Sequence, residues 1–379
     1  MSIAIALLAT IVIDGQFQDW PENQTEVVDD RFVHRQILLE EPGCLQQLPR
    51  PLNVDIGDVH ITFSPRETGY GVAVSRDGVA VSPYEIGLVF APTTASSRFE
   101  IRIDRPGATR KPVSFDLANA GGTRVVSWNV QFGNLLDDKA RGTRILRSLR
   151  PDILLLQELD GNDSPGDVAA FLGGALGGTW TVIMSPLSGE RTSHRLRSAV
   201  ATTLPATPLP APQPVANWPI KVAAAKIALG QRTLTAVSVH LRCCGGPDGE
   251  AEQQRQEEAM SIRRSLASHA GPLVIAGDWN LVGTRRPLEI LQRNDMVIVE
   301  APQPDGLLTA TWSDATSAFT PGRLDWMLVR TPIRVERAFV LDSADLDDPS
   351  LAAGALRSGD TAALSDHLPL VADLVLVEP

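Results

Sequence analysis

The segment that decides the fold is PLVIAGDWNLVG, which runs from Pro272 to Gly283. Four apolar residues, Leu273 to Ala276, predict a strand that is buried on both faces. Because side chains alternate along a strand, Asp278 and Asn280 should point the same way, with Trp279 opposite. Ligands bind at the carboxyl ends of strands in open α/β sheets, so this acid and amide are candidates for a site. Taken alone, the pair is more often an Asx turn that leaves the strand, and the rest of the chain must decide.

Composition sets the broad class of the protein. A chain of 379 residues with 43% hydrophobic and 21% charged residues is typical of a soluble globular protein with two domains. No run reaches the ~18 apolar residues needed to span a bilayer, so no stable membrane insertion is expected. The net charge of −11 argues against a strongly basic nucleic-acid surface. It does not exclude a nuclease, because bound divalent cations can supply positive charge.

The cysteines and the N-terminus suggest a cellular context. Cys44, Cys243 and Cys244 are too few for a disulfide scaffold and lack zinc-site spacing, so two partly buried neighbouring thiols are expected. The first fifteen residues are apolar but lack a basic n-region, which fits a short signal ending near Ala9 or simply a first strand. We expect a secreted or periplasmic monomer, with a cytoplasmic location as the alternative.

The N-terminal part predicts a small all-β unit. Short runs such as RFVHRQILLE, DVHITFS and RFEIRID are separated by turn signals up to about residue 105, the pattern of an antiparallel sandwich. IDGQFQDW, from Ile13 to Trp20, resembles the start of carbohydrate-binding, family-nine-like β-sandwich modules. That resemblance implies a glycan contact through residues 1–115, although core packing is the better interpretation of Trp20 itself. A segment rich in proline, glycine and charge follows, and we place the linker at 116–123.

From residue 124 to 379 the pattern changes to strands mixed with helices. RVVSWNV, PDILLLQEL, LTAVSVHL, PLVIAGDWN, RLDWMLV and LPLVADLVLV predict strands, and DDKARGTRILRSL and EAEQQRQEEAMSIRRSLASH predict helices. Hairpin and crossover spacings both occur, so a mixed sheet or a two-sheet α/β sandwich is favoured over a parallel sheet. In the second helix, Arg255 and Glu258 are expected to form a solvated face with i, i+3 pairing.

Polar residues recur where these strands end. VVSWNVQFG, DILLLQELD, VSVHLR, VIAGDWN, GRLDWML and LSDHLPL follow one another in the order typical of the endonuclease/exonuclease/phosphatase superfamily, which this part of the chain resembles. The superfamily includes deoxyribonuclease I-like nucleases, abasic-site endonucleases, inositol phosphatases and bacterial sphingomyelinases. The resemblance implies a four-layer α/β sandwich, with two packed mixed β-sheets flanked by helices, after the small all-β sandwich. It also implies Mg2+-dependent phosphoester hydrolysis at one edge of the two sheets, with Mn2+ as a possible substitute.

The resemblance assigns metal binding to three residues. Glu158 ends a buried strand, where a glutamate needs a cation or a network of donors, and a hard oxygen ligand suits Mg2+. Asn129 matches a position that touches the metal shell and the phosphate, and Asp366 matches one that serves the metal region. Taken singly, Glu158 could equally be an N-cap or an ion-pair partner, Asn129 an Asx turn and Asp366 an N-cap.

Five further residues are expected to carry catalysis. A phosphodiester needs a water held in line and a group that accepts its proton. Asp278 would orient and deprotonate this water, while Asn280 fixes the water and a phosphate oxygen. By resemblance, His367 faces the phosphate and Asp325 hydrogen-bonds it, which should raise the pKa of the imidazole. His240 matches a histidine of the deoxyribonuclease and sphingomyelinase branches. Abasic-site endonucleases, by contrast, tend to carry a tyrosine at the comparable position.

The substrate is left open by the sequence. We predict a phosphodiesterase of nuclease type, with a phosphatase or a sphingomyelinase-like lipid phosphodiesterase as alternatives. Arginines are plentiful in the catalytic unit, but no convincing membrane-entering hairpin is visible. A different class, a non-catalytic carbohydrate- or surface-binding protein, is also possible because fold does not give function. The full set of acids and histidines argues against it.

Overall fold

The computed structural model describes residues 10–44, 48, 51–66, 69–108, 111–187, 195–293, 295–317 and 319–377. The segment considered as a signal, residues 1–9, lies outside the described residues. Within the described ranges, no helix has the length and apolar character needed to cross a membrane.

An all-β unit comes first, as predicted. It contains two antiparallel four-stranded sheets, with strand orders β1-β2-β8-β7 and β3-β4-β5-β6, and its core includes Phe63, Phe90 and Phe99. Trp20 is buried and its indole Nε1 donates to Glu100 at 3.0 Å, in agreement with core packing. The strands are β1 (Glu26–Val28), β2 (Phe32–Gly43), β3 (Leu52–Ile56), β4 (Val59–Arg66), β5 (Gly69–Arg76), β6 (Val79–Val81), β7 (Val89–Ala91) and β8 (Ser96–Asp104).

Two six-stranded sheets follow, with orders β11-β12-β10-β9-β20-β19 and β13-β14-β15-β16-β18-β17. Each contains one parallel pair, β9 with β10 and β15 with β16, so both sheets are mixed as predicted. The strands are β9 (Thr123–Asn129), β10 (Ile153–Asp160), β11 (Thr181–Met184), β12 (Leu196–Thr202), β13 (Ala206–Pro208), β14 (Lys221–Leu229), β15 (Arg232–His240), β16 (Leu273–Asp278), β17 (Met296–Ile298), β18 (Asp325–Arg330), β19 (Ile333–Val340) and β20 (Leu370–Leu376).

Helices cover the outer faces of both sheets. They are α1 (Asn134–Asp137), α2 (Lys139–Leu149), α3 (Pro165–Leu176), α4 (Glu250–Ser265), α5 (Arg286–Gln292), α6 (Asp348–Gly354) and α7 (Asp360–Leu364), with a 3-10 turn at Ser343–Asp345. Alternation along β10 shows how the layers form, because Leu154 and Leu156 pack towards the helices while Ile153 and Leu155 pack between the sheets. Each such buried side chain stabilises the fold by about 1.5–3 kcal/mol. The predicted four-layer α/β sandwich is confirmed.

Helix α4 corrects one expectation. Arg255 and Glu258 are buried rather than solvated. The Arg255 guanidinium donates to Glu252 at 2.8 Å and to the carbonyl oxygens of Arg242 and Cys244 at 2.9 and 2.7 Å. Charged residues at helical spacing are usually solvated, but here they pair with the backbone of the loop after β15. The helix therefore fixes that loop.

A buried ion pair lies at the beginning of β9, at the opposite end from Asn129. The Arg124 guanidinium contacts the Asp373 carboxylate at 2.6 and 2.8 Å, and both side chains are at most 1% exposed. The same guanidinium donates to the carbonyl oxygens of Leu117 and Leu149, at 2.6 and 2.9 Å. These contacts tie the segment before β9, helix α2 and β20 together.

We expect Asp373→Ala to lower the free energy of unfolding by about 3–5 kcal/mol, because it leaves a buried guanidinium without its counter-charge. Urea denaturation measures the loss. The control is Glu289→Ala, which breaks a surface pair with Arg286 whose side chains are 61% and 51% exposed; it should cost less than about 1 kcal/mol. Equal losses for the two variants would contradict the argument.

Candidate active site

Strand β16 brings Asp278 to the meeting point of the two sheets. Its backbone needs glycine at 277, where φ is 150° and a Cβ would lie 1.8 Å from the Val239 carbonyl oxygen on β15. The Asn280 N–H donates to Asp278 Oδ1 at 2.9 Å, which is the Asx turn, and its amide Nδ2 donates to Oδ2 at 3.0 Å. The segment therefore forms an Asx turn and also contributes to a polar cluster. The turn and the candidate site predicted from the sequence are both present.

Asp278 Oδ2 is the centre of this cluster. Asn129, at the end of β9, donates its amide to this oxygen at 3.1 Å. The Nε2 atoms of His240, at the end of β15, and His367, before β20, both lie 3.7 Å from it. Residues separated by up to 238 positions thus converge on one buried carboxylate, with both sheets contributing.

Glu158 joins the cluster through a strained backbone. It lies at a register shift between β10 and β12 and has a φ of 57°, which is uncommon for a residue other than glycine. Its Oε1 lies 3.7 Å from His240 Nε2, and its Oε2 accepts a hydrogen bond from the Phe132 N–H at 3.2 Å. Such strain is concentrated at functional sites. Here it turns a carboxylate out of the strand and into the cluster.

His367 and Asp325 form a buried pair. Asp325 is the first residue of β18, and its Oδ2 lies 2.7 Å from His367 Nδ1. The backbone of His367 is fixed by Ser365 Oγ, which accepts its N–H at 3.0 Å, and by Trp128 Nε1, which donates to its carbonyl at 2.9 Å. The imidazole is therefore held with Nε2 towards Asp278.

Burial and nearby charges shift the pKa values of His367, His240 and Asp278 in different directions. Burial disfavours the His367 cation, but the charges of Asp325 and Asp278 outweigh it and raise the pKa of His367 to about 10. Burial lowers the pKa of His240 well below its usual value, and the positive charges of Lys221 and His367 lower it further. Burial also raises the pKa of Asp278 to about 8, with the charge of His367 opposing and those of Asp325 and Glu158 adding to the rise. One imidazole is thus a cation and the other is neutral.

Asp366 faces away from its neighbour His367. Its Oδ2 accepts a hydrogen bond from Trp312 Nε1 at 2.9 Å, and its N–H donates to Gln131 Oε1 at 3.2 Å. Asp366 nevertheless lines the same cavity as Glu158 and His367, a space of about 350 Å3. All eight residues selected from the sequence therefore lie in or against one site.

A comparison with protein families matches residues 126–367 to the Endonuclease/Exonuclease/phosphatase family. This range includes all eight residues. The chain belongs to this family. Its members hydrolyse phosphoester bonds, and the prediction that the chain is a phosphoesterase is confirmed.

Similar solved structures cover 67% of this chain. An endonuclease/exonuclease/phosphatase family protein from Leptotrichia buccalis C-1013-b has 12% identity and a TM-score of 0.50, covering 67% of this chain and 100% of its own. A family protein from Bacteroides vulgatus has 19% identity and a TM-score of 0.48, covering 67% and 99%. The Neisseria 3′ phosphatase NExo, bound to a product DNA hairpin, has 19% identity and a TM-score of 0.47, covering 67% and 100%. No curated protein sequence matches the chain.

Family members depend on divalent metals, and the donor set fits such an ion. Atoms of Glu158, His240 and Asp278 lie within 4.8 Å of one another. The charge of Glu158 raises the pKa of the buried Asp278, so a cation between the two carboxylates would relieve a real repulsion. Of the residues predicted to bind metal, Glu158 is in this group, whereas Asn129 and Asp366 contact Asp278 and Trp312 respectively.

Sequence reasoning missed the aromatic side of the site. Trp312 and Phe319 line the cavity and come from residues 299–324, which separate β17 from β18. A connection longer than about 12–15 residues is usually functional, and this length was the signal available in the sequence. Cys243 and Cys244 also line the cavity; they are exposed rather than partly buried, and their Sγ atoms lie 2.7 Å apart.

Proposed function

We propose that the protein is a Mg2+-dependent phosphodiesterase of nuclease type, with Mn2+ able to replace Mg2+. One observation carries the proposal: the imidazoles of His240 and His367 and the carboxylates of Glu158 and Asp278 converge on the same buried position. Glu158 and Asp278 with His240 offer oxygen and nitrogen ligands within 4.8 Å of one another, a donor set that suits a divalent cation. A phosphodiester carries the negative charge that the His367 cation would meet.

Each residue of the cluster has a separate role in hydrolysis. In its ionised form, which predominates above its raised pKa of about 8, Asp278 accepts the proton of the attacking water. The amides of Asn129 and Asn280 hold this carboxylate in one orientation. His367, kept charged by Asp325, stabilises negative charge on the phosphoryl oxygens. The neutral His240 lies beside the same centre, where it can donate a hydrogen bond to the departing oxygen. A divalent cation held by Glu158, Asp278 and His240 would supply positive charge and would lower the pKa of the acids around it.

The N-terminal sandwich adds no support for glycan binding at Trp20. That side chain is 7% exposed and its nitrogen is hydrogen-bonded to Glu100, so it offers no platform for a sugar ring. A glycan contact elsewhere on residues 1–115 stays a prediction.

The test is a metal and substrate screen on the purified protein. After treatment with excess chelator, hydrolysis of bis(4-nitrophenyl) phosphate and nicking of supercoiled plasmid DNA should be absent. Both should return with Mg2+ or Mn2+, and the DNA reaction should fall with added salt. Full activity in excess chelator would refute metal dependence. Turnover of phosphate monoesters alone would replace the nuclease-type proposal with a phosphatase.

A further inference from the structure

The N-terminal sandwich forms one wall of the catalytic cavity. Phe90 on β7 and Thr93 just after it line the same space as Asp278 and His367. Trp312, Phe319 and other residues of the 299–324 connection also line this space. The cavity is thus acidic and imidazole-rich at one end and aromatic where the two units meet.

The sandwich also holds the two loops that border the cavity. The Tyr84 hydroxyl donates to the Phe319 carbonyl at 2.9 Å and accepts the Asp314 N–H at 3.2 Å. The Thr93 hydroxyl donates to the carbonyl oxygen of Leu281 at 2.6 Å, just after Asn280. These contacts fix the aromatic connection and the loop after β16 relative to each other.

The rings of Trp312 and Phe319 are steeply inclined to each other and form what we call the aromatic corner. The centroids of Trp312 and Phe319 are 6.4 Å apart, and their planes are inclined by 74°. Trp312 is held in place by its bond to Asp366, and both rings are partly exposed. Phe90 is buried and stacks on Phe99 with centroids 4.9 Å apart, and Phe319 packs against the core cluster that contains both. A flat group placed in the corner would stack on one ring and meet the other edge-on.

We propose that this corner is a subsite for the planar aromatic part of the phosphoester, a nucleoside base, next to the phosphate. The proposal rests on the proposed phosphodiesterase function. The cavity of about 350 Å3 lies at the small end of ligand pockets, at about 300–1,000 Å3. It therefore accommodates one nucleoside rather than several stacked bases. Glu158, Asp278 and Asp366 on the same cavity disfavour additional phosphates near it.

Two chromogenic diesters with the same leaving group test the subsite. Thymidine 5′-(4-nitrophenyl phosphate) carries a base, and 4-nitrophenyl methyl phosphate does not. The wild type should prefer the thymidine ester. Because a base stacks on an aromatic side chain and that contact stabilises binding, Phe319→Ala should reduce this preference about tenfold, mainly through KM.

Two further variants keep the test decisive. Tyr84→Phe removes only the hydroxyl that holds the connection, and it should reduce the same preference without unfolding the protein. Trp218→Ala removes an aromatic side chain that is 43% exposed and lies outside the cavity, and it should leave the preference unchanged.

The outcomes separate the two proposals. If the wild type hydrolyses neither ester, the phosphodiesterase function fails. If the methyl ester is hydrolysed but the thymidine ester is not preferred, only the subsite fails. Equal losses for both esters in Phe319→Ala would also overturn the subsite, and so would a wild-type preference for 4-nitrophenyl octyl phosphate over the thymidine ester.

Discussion

Asp278→Asn should reduce kcat for bis(4-nitrophenyl) phosphate by about 10²–10⁴-fold, the usual contribution of a positioned general base. The amide cannot accept the proton of water, although it has the shape of the carboxylate. It also removes a buried charge that touches Asn129, His240 and His367, so the cluster loses its common partner. Measurement at saturating metal separates this loss from weakened metal binding.

Asp348→Asn is the matched control, because Asp348 is an exposed aspartate in helix α6, away from the cavity. It should leave kcat unchanged. Thermal unfolding of both variants shows whether the fold is retained. An Asp278→Asn enzyme within about fivefold of the wild type would exclude Asp278 as the base.

Glu158→Gln should raise the metal concentration needed for half-maximal activity by about 10–100-fold or more. An amide oxygen is a weaker ligand for a hard cation than a carboxylate, and Glu158 has one oxygen turned towards His240. Calorimetric titration with Mn2+ gives a second measurement that does not depend on turnover. The strained backbone at Glu158 should persist, because the Phe132 N–H can still donate to the amide oxygen.

Glu257→Gln, on the exposed side of α4, controls for the loss of one negative charge. It should leave both the metal affinity and the activity as they are. An unchanged Mn2+ affinity in Glu158→Gln would place the cation elsewhere in the cavity, with Asp278, Asp366 and His240 as the remaining candidate ligands.

The sheets and the cluster of polar side chains were predictable because both depend on local patterns. A buried strand shows as an apolar run, and Asp278, Glu158 and Asn129 each stand where such a run ends. Strand ends that share one edge bring these side chains together without any detailed knowledge of packing. The register shift that rotates Glu158 into the site has no comparable signature, because it arises from pairing with β12.

The remaining features depend on contacts between distant segments. The hydrogen bond between Trp312 and Asp366 links a connection to the last strand, and nothing near either residue in the sequence indicates it. The burial of Arg255 could not be read from a polar helix, since the pattern is the same whether solvent or another loop covers the charge. The role of Tyr84 likewise becomes visible only when the sandwich lies against the 299–324 connection.

The Glu252–Arg255 pair on helix α4 should constrain which residues vary together among members of the family. Arg255 holds the loop after β15, and Glu252 accepts a hydrogen bond from Thr284 in the loop after β16. A Cβ at Gly283 would come within 2.5 Å of Glu252 Oε2 and 3.0 Å of the Arg255 guanidinium, so a larger residue there requires the side chains of the other two members of this trio to move. Homologues in which either loop changes length should have replaced all three residues, and those that keep one should keep the others. Correlated inheritance of Glu252, Arg255 and Gly283 would then mark the branch that shares this loop arrangement.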